Sequence, residues 1–205
     1  MIDKKESNFI KFVAVVAMLI DHIGAYLVPM EILRIIGRIA FPIFAYQLTL
    51  SYKATSDKKG YLKRLLFFAI ISQIPFYLLT GGVVLNIIFS LLLGFLAIWA
   101  IENKRVLFIY LLVVPLSFFV EYSLYGLLII LIFYFINSDI QKILLFSLLT
   151  FFNSFYHGYE IQLFAVLALL FIFGPKIKME LPKYFFYVFY PAHLMIIYVI
   201  KIMIQ

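Results

Sequence analysis

Nine runs of apolar residues, separated by short polar turns, occupy the chain from end to end: residues 9–28, 33–51, 62–80, 84–101, 106–120, 124–137, 140–155, 161–174 and 184–204. The runs are continuous rather than alternating, which predicts helices and excludes a β-barrel. In lipid each backbone polar group has to be satisfied within its own segment, and a helix does that. A helix needs about 20 residues to span a bilayer. Several runs are shorter, so one or two are expected to be re-entrant or half-buried within the bundle. The predicted fold is an all-α polytopic membrane protein: a single domain over residues 1–205, a bundle of about nine transmembrane helices. Gly81-Gly82 marks the third turn, and Pro42 interrupts the second run.

Composition agrees. Of 205 residues 66% are hydrophobic and 13% charged, with a mean hydropathy of +1.10; soluble domains carry about 25% charged residues. An ordinary soluble domain, a disordered chain and a disulfide scaffold are excluded. The chain has no cysteine, hence no disulfide, thiolate metal site, S-acyl anchor or cysteine nucleophile. The first run follows lysines but leads into Asp21-His22 with no small-residue cleavage site nearby, so it is expected to be an uncleaved first span. No internal repeat is visible.

The net charge is +7 and the pI near 9.4. If the N-terminus is cytoplasmic and the runs alternate, 14 of the 17 Lys and Arg fall on the cytoplasmic side. They include Lys4, Lys5, Lys11, Lys63, Arg64 and Lys183; only Arg34, Arg38 and Lys201 fall toward the other face. This predicts a cytoplasmic N-terminus. It also accounts for the basic pI without nucleic acid, since the basic stretches are short and scattered.

The ionisable residues inside apolar runs are few: Asp21 and His22 in the first, Arg34 and Arg38 in the second, His193 in the last. Each charge at the bilayer centre costs about 2.5–3.5 kcal/mol on insertion scales, so such residues face the bundle and have partners. At a rise of about 1.5 Å per residue, His22 lies about 16 Å beyond Lys11 and His193 about 15 Å beyond Lys183. Both histidines are thus expected near the midplane at equal depth. Asp21 and His22 point about 100° apart on a helix, so Asp21 is expected to pair with Arg38 or Arg34, leaving His22 free. A lone intramembrane histidine is often interhelical glue, and an Asp–Arg pair is more often structural than catalytic. Uncharged polar groups join them within the runs, Ser72, Gln73, Asn86, Ser90, Tyr122, Tyr125 and Tyr190, of which Asn86 and Ser90 read most simply as packing and hydrogen-bond residues. The convergence of two His, two Arg, an Asp and an Asn points instead to a site. Glu121, His157 and Glu160 stand at the outer ends of runs. No phosphate loop, serine-hydrolase elbow or metalloprotease helix is present, and no metal is expected.

Several motifs resemble those of the TraX family of membrane proteins. They are Met18-Leu19-Ile20-Asp21-His22-Ile23-Gly24, Arg34-Ile35-Ile36-Gly37-Arg38-Ile39-Ala40-Phe41-Pro42, Ser72-Gln73-Ile74-Pro75-Phe76, Asn86-Ile87-Ile88-Phe89-Ser90 and the closing Phe189-Tyr190-Pro191-Ala192-His193-Leu194. Ser90 stands where the family has Thr, and Glu121-Tyr122 where it has Asp-Tyr. The family is named for a conjugation protein that acetylates the pilin N-terminus, and is similar to wider multi-pass membrane acyltransferases. The resemblance implies acyl transfer from acetyl-CoA or another acyl-CoA in a bacterial cytoplasmic membrane. It does not imply pilin as the acceptor; a protein, glycan or lipid all remain open.

Acyl transfer needs a base for the incoming group and donors for the oxyanion. His22 is the expected base, with His193 as partner or second choice and Asp21 beside them. Arg34, Arg38, Gln73, Asn86, Tyr190, Glu121 and Tyr122 are the expected substrate-binding residues, and Lys63 and Arg64 the expected holders of donor phosphates. The alternatives are a small transporter or flippase that uses the same His, Asp and Arg as a relay, and a non-catalytic assembly factor.

Overall fold

A computed structural model describes residues 3–182 and 184–204; Lys183, the reference for the depth of His193, lies outside the described residues. Among the described residues nine helical segments appear: α1 (Lys4–Tyr26), α2 (Glu31–Ala54), α3 (Lys58–Thr80), α4 (Ile87–Glu102), α5 (Val106–Ser117), α6 (Ser123–Phe135), α7 (Asp139–His157), α8 (Glu160–Phe173) and α9 (Phe185–Ile204). They coincide with the nine apolar runs. α1, α2, α3 and α9 are long and apolar enough to cross a membrane; α4, α5, α6 and α8 are shorter.

Local chemistry sets the boundaries. Asp57 caps α3 by accepting from the Gly60 N–H at 2.8 Å, and α3 stops at Gly81, whose φ of 67° suits a residue without Cβ. Gly158, φ 62°, ends α7 in the same way. Within α2 the helix breaks at Arg38-Ile39. Pro42 lacks the N–H that would bond the Arg38 carbonyl, and its ring crowds that carbonyl. Arg38 turns its N–H to the Ile35 carbonyl at 3.1 Å and its Nε–H to the Arg34 carbonyl at 3.1 Å. The proline thereby puts an arginine at a break in a buried helix.

α1 packs on both halves of α2 and on α9; α3 packs between α9 and α4, and α6 between α2 and α4. One core joins them, with Phe41, Phe95, Phe133 and Phe146 almost fully buried. The N-terminal ends of α1, α3 and α7 gather with the C-terminal ends of α2, α4 and α6. There Lys53 donates to the Tyr134 carbonyl at 3.1 Å, Lys58 lies 3.8 Å from the Tyr52 ring, and Tyr52 donates to Glu102 at 2.8 Å. This is the lysine-rich end. At the opposite end the α3–α4 turn pairs with the α5–α6 turn through Leu85 and Val120. Leu85 donates to the Phe119 carbonyl at 2.8 Å and accepts from the Glu121 N–H at 3.0 Å.

Candidate active site

Asp21 sits near the end of α1 and its carboxylate takes both arginines of α2. Arg34 Nη1 lies 2.6 Å from one oxygen, and Arg38 Nη2 holds the other. Gly37 makes this approach feasible, because a Cβ there would overlap the Asp21 carboxylate. Either arginine was expected as the partner; the helical i, i+4 spacing lets one carboxylate take both. Arg38, 6% exposed, reaches on to Gln162 Oε1 at 3.5 Å. Gln162 donates to the Tyr125 hydroxyl at 3.3 Å, and Tyr125 pairs with Thr150 at 3.0 Å. A buried polar chain thus runs from α1 through α2 and α8 to α6 and α7.

The two histidines meet. His22 Nδ1 lies 2.8 Å from His193 Nε2, and His193 Nδ1 lies 2.9 Å from the Phe189 carbonyl. A carbonyl only accepts, so His193 Nδ1 carries the proton. In a neutral ring His193 Nε2 is then an acceptor, and the proton between the rings belongs to His22 Nδ1. That leaves His22 Nε2 with a bare lone pair. His22 lines a cavity of about 290 Å³ and His193, 3% exposed, does not. The pair therefore divides into a group that can touch a substrate and a positioning residue behind it. The contact agrees with the equal depth expected of the two histidines, although His22 stands one turn from the end of α1 and His193 near the middle of α9.

Asp21, Arg34, Arg38, Glu121, Tyr122 and Tyr190 line the same cavity. The Tyr190 hydroxyl, on a residue 5% exposed, meets no hydrogen-bond partner of normal geometry. Glu121 lies in the turn between α5 and α6, outside both helices, and its carbonyl accepts from the Ser90 hydroxyl. Burial, then the Asp21 carboxylate, push the Glu121 carboxyl from 4.5 up to about 7, against the Ile87 N–H and the two guanidiniums. A carboxyl raised in this way holds its proton in the folded protein at pH values where the unfolded chain has lost it. Its contribution to stability is therefore full below about 4.5 and is lost as pH rises through about 7. Thermal stability in detergent is expected to fall between pH 5 and pH 8, and Glu121→Gln to flatten that dependence.

Two expected substrate-binding residues are placed elsewhere. Asn86 caps α4 by accepting from the Ile88 N–H at 3.0 Å, and donates to the Ala69 carbonyl at 2.8 Å and to Gln73 Oε1 at 2.9 Å. Gln73 accepts also from the Asn86 N–H at 2.9 Å and donates to the Val84 carbonyl at 3.1 Å. Both amides lock the α3–α4 hairpin and neither lines the cavity. Asn86→Ala is expected to cost about 1–3 kcal/mol through the lost cap and stranded partners, read as a lower melting temperature. Activity per folded molecule should remain. Conversely, Tyr26 and Gln162 line the cavity without having been singled out. Gln162 carried a signal, an amide at the head of an apolar run.

Two further cavities continue toward the lysine-rich end. A mostly apolar one of about 200 Å³ shares Met18, Ile87 and Tyr190 with the site cavity, and is lined also by Gln47, whose buried Nε2 has no hydrogen-bond partner. A third, about 310 Å³, shares Ser51, Tyr61 and Tyr187 with the second and carries Arg64. Lys63 is exposed and lines none of these cavities.

The sequence matches the family described as TraX protein over residues 6–201. An uncharacterized protein of Rickettsia prowazekii (strain Madrid E) is 37% identical over 105 residues, half of this chain and 40% of that protein. A probable fimbrial assembly protein, FimC of serogroup H1 from Dichelobacter nodosus, is 34% identical over 73 residues, 33% of this chain and 30% of its own length. The matched stretches thus span less than half of either curated relative. No solved structure matches. With the family match covering nearly the whole chain, the protein belongs to the TraX family.

Proposed function

We propose that the protein is a membrane-embedded acyltransferase that moves an acetyl or other acyl group from acyl-CoA to a hydroxyl or amine. The observation that carries this reading is His22, whose Nε2 is left with a bare lone pair and which lines one cavity together with Arg34, Arg38 and the buried Tyr190. A base beside oxyanion donors is what acyl transfer requires. His22 Nε2 takes the proton of the acceptor as its oxygen or nitrogen attacks the thioester carbonyl. Arg38, Arg34 and Tyr190 face the charge that develops on the carbonyl oxygen. The carbon–sulfur bond then breaks, and the thiolate takes the proton back from His22.

The donor's route follows the row of cavities. Arg64 at the lysine-rich end suits a phosphate. The mostly apolar cavity, with Gln47 in its wall, suits the slender arm that carries the thioester. The clustering of lysines at this end supports a cytoplasmic N-terminus, and nine crossings in a bacterial cytoplasmic membrane. The name of the Dichelobacter relative suits an acceptor at the cell surface. The reading is tested by giving the purified protein acetyl-CoA labelled in the acetyl group, with membrane extract as acceptor. Label is expected in a covalent product.

The same row of cavities favours a second reading, a transporter that uses His22, Asp21 and the arginines as a relay. Flux into vesicles with no covalent product would establish it.

A further inference from the structure

A cavity of about 620 Å³ opens at the end opposite the lysines, within the size range of small-ligand sites. It shares Tyr122 and Gln162 with the site cavity, so the two cavities adjoin. Its walls include Tyr122, Tyr125, Tyr156 and Tyr159 together with Asn153, Gln162, Ser123 and His157. Among the described lining residues none is Lys, Arg, Asp or Glu. Tyr156 is 84% exposed at the rim and packs edge-on against His157. At the inner wall Tyr122 is fixed by stacking on Phe41 at 4.1 Å, and Tyr125 by its bonds to Thr150 and Gln162.

This chemistry selects among acceptors. A protonated amine calls for a carboxylate and a phosphate-bearing group for a cation, and the vestibule offers neither along its walls. A lipid tail calls for a continuous apolar wall, and here hydroxyls and amides interrupt it. Aromatic faces bearing hydroxyls, mixed with amide groups that both donate and accept, match a molecule with apolar C–H faces and uncharged hydroxyls around its edge.

We propose that this vestibule binds a neutral sugar unit and presents one of its hydroxyls to His22 as the acyl acceptor. The inference rests on the acyltransferase reading and specifies its acceptor. In the step a carbon–oxygen ester bond forms and the thioester carbon–sulfur bond breaks. The hydroxyl proton passes to His22 Nε2 and then to the departing thiolate, so atoms and charge balance with no further reactant. Tyr122 and Tyr125 line the inner part of the path, and Tyr156 and Tyr159 hold the outer part of the sugar.

Two measurements on the purified full chain in detergent separate this inference from the reading beneath it. In the first, calorimetric titration with a neutral oligosaccharide, N,N′,N″-triacetylchitotriose, is done without donor. Saturable binding is expected, weakened about tenfold or more in Tyr156→Ala, equivalent to 1.4 kcal/mol. Tyr156 is a rim residue, so folding is expected to survive; equal melting temperatures check this. No saturable binding, or binding unchanged in Tyr156→Ala, overturns the vestibule. In the second, labelled acetyl-CoA is supplied with N,N′,N″-triacetylchitotriose, with a peptide bearing a free N-terminus, or with phosphatidylethanolamine vesicles. Label is expected in the sugar as a base-labile ester. Label in the peptide or the lipid, together with CoA release that depends on His22, overturns the sugar acceptor and leaves acyl transfer standing. No CoA release with any acceptor overturns both.

Discussion

Replacing His22 with alanine is expected to lower acyl transfer by about 10²–10⁴-fold, the range for loss of a positioned general base. The loss should fall on kcat, since the donor route and the arginines remain. His193→Ala should lower kcat less and leave KM unmoved, because His193 does not line the cavity and acts by holding the His22 Nδ1–H. His193→Gln should recover part of that loss, as an amide oxygen accepts the same proton. A merely structural histidine would not show rescue of kcat by glutamine. The double variant should be no worse than His22→Ala alone, since groups acting as one unit are not additive. Steady-state kinetics on the four variants beside the wild type checks the set.

The second large effect is on stability. Asp21→Ala leaves the guanidiniums of Arg34 and Arg38 without their shared carboxylate, in surroundings where the Arg38 side chain is 7% exposed. Removing one partner of a buried ion pair costs about 3–5 kcal/mol. The variant should melt well below the wild type in detergent and lose activity with the fold. Adding Arg38→Met to Asp21→Ala should restore part of the melting temperature, since a buried cation then no longer lacks a counterion. Activity should not return if, as proposed, the Arg38 guanidinium faces the reacting carbonyl. Thermal unfolding beside turnover separates the two roles.

Much of this arrangement was legible in the sequence, for a physical reason. Charges in apolar runs are costly, so Asp21, Arg34, Arg38, His22 and His193 had to find one another. The nine apolar runs coincide with nine helices because turn chemistry at Asp57, Gly81, Asn86 and Gly158 marks their ends. The role of each amide was not legible. Asn86 and Gln73 carry the same signal, polarity in an apolar run, as a substrate contact would; only the position of Asn86 ahead of α4 tells a cap from a ligand. Gln162 belongs to the cavity because α8 begins as a tight 3₁₀ turn that aims it at Arg38, a placement that depends on tertiary packing.

The central claim is that His22 serves as the base of an acyl transfer. Its most direct measurement is the release of free CoA thiol from acetyl-CoA by the purified protein with membrane extract present, run beside His22→Ala prepared in the same way. The account requires turnover by the wild type that disappears in the variant while the variant still melts cooperatively. Equal release by both proteins, or none from a folded wild type, would contradict it.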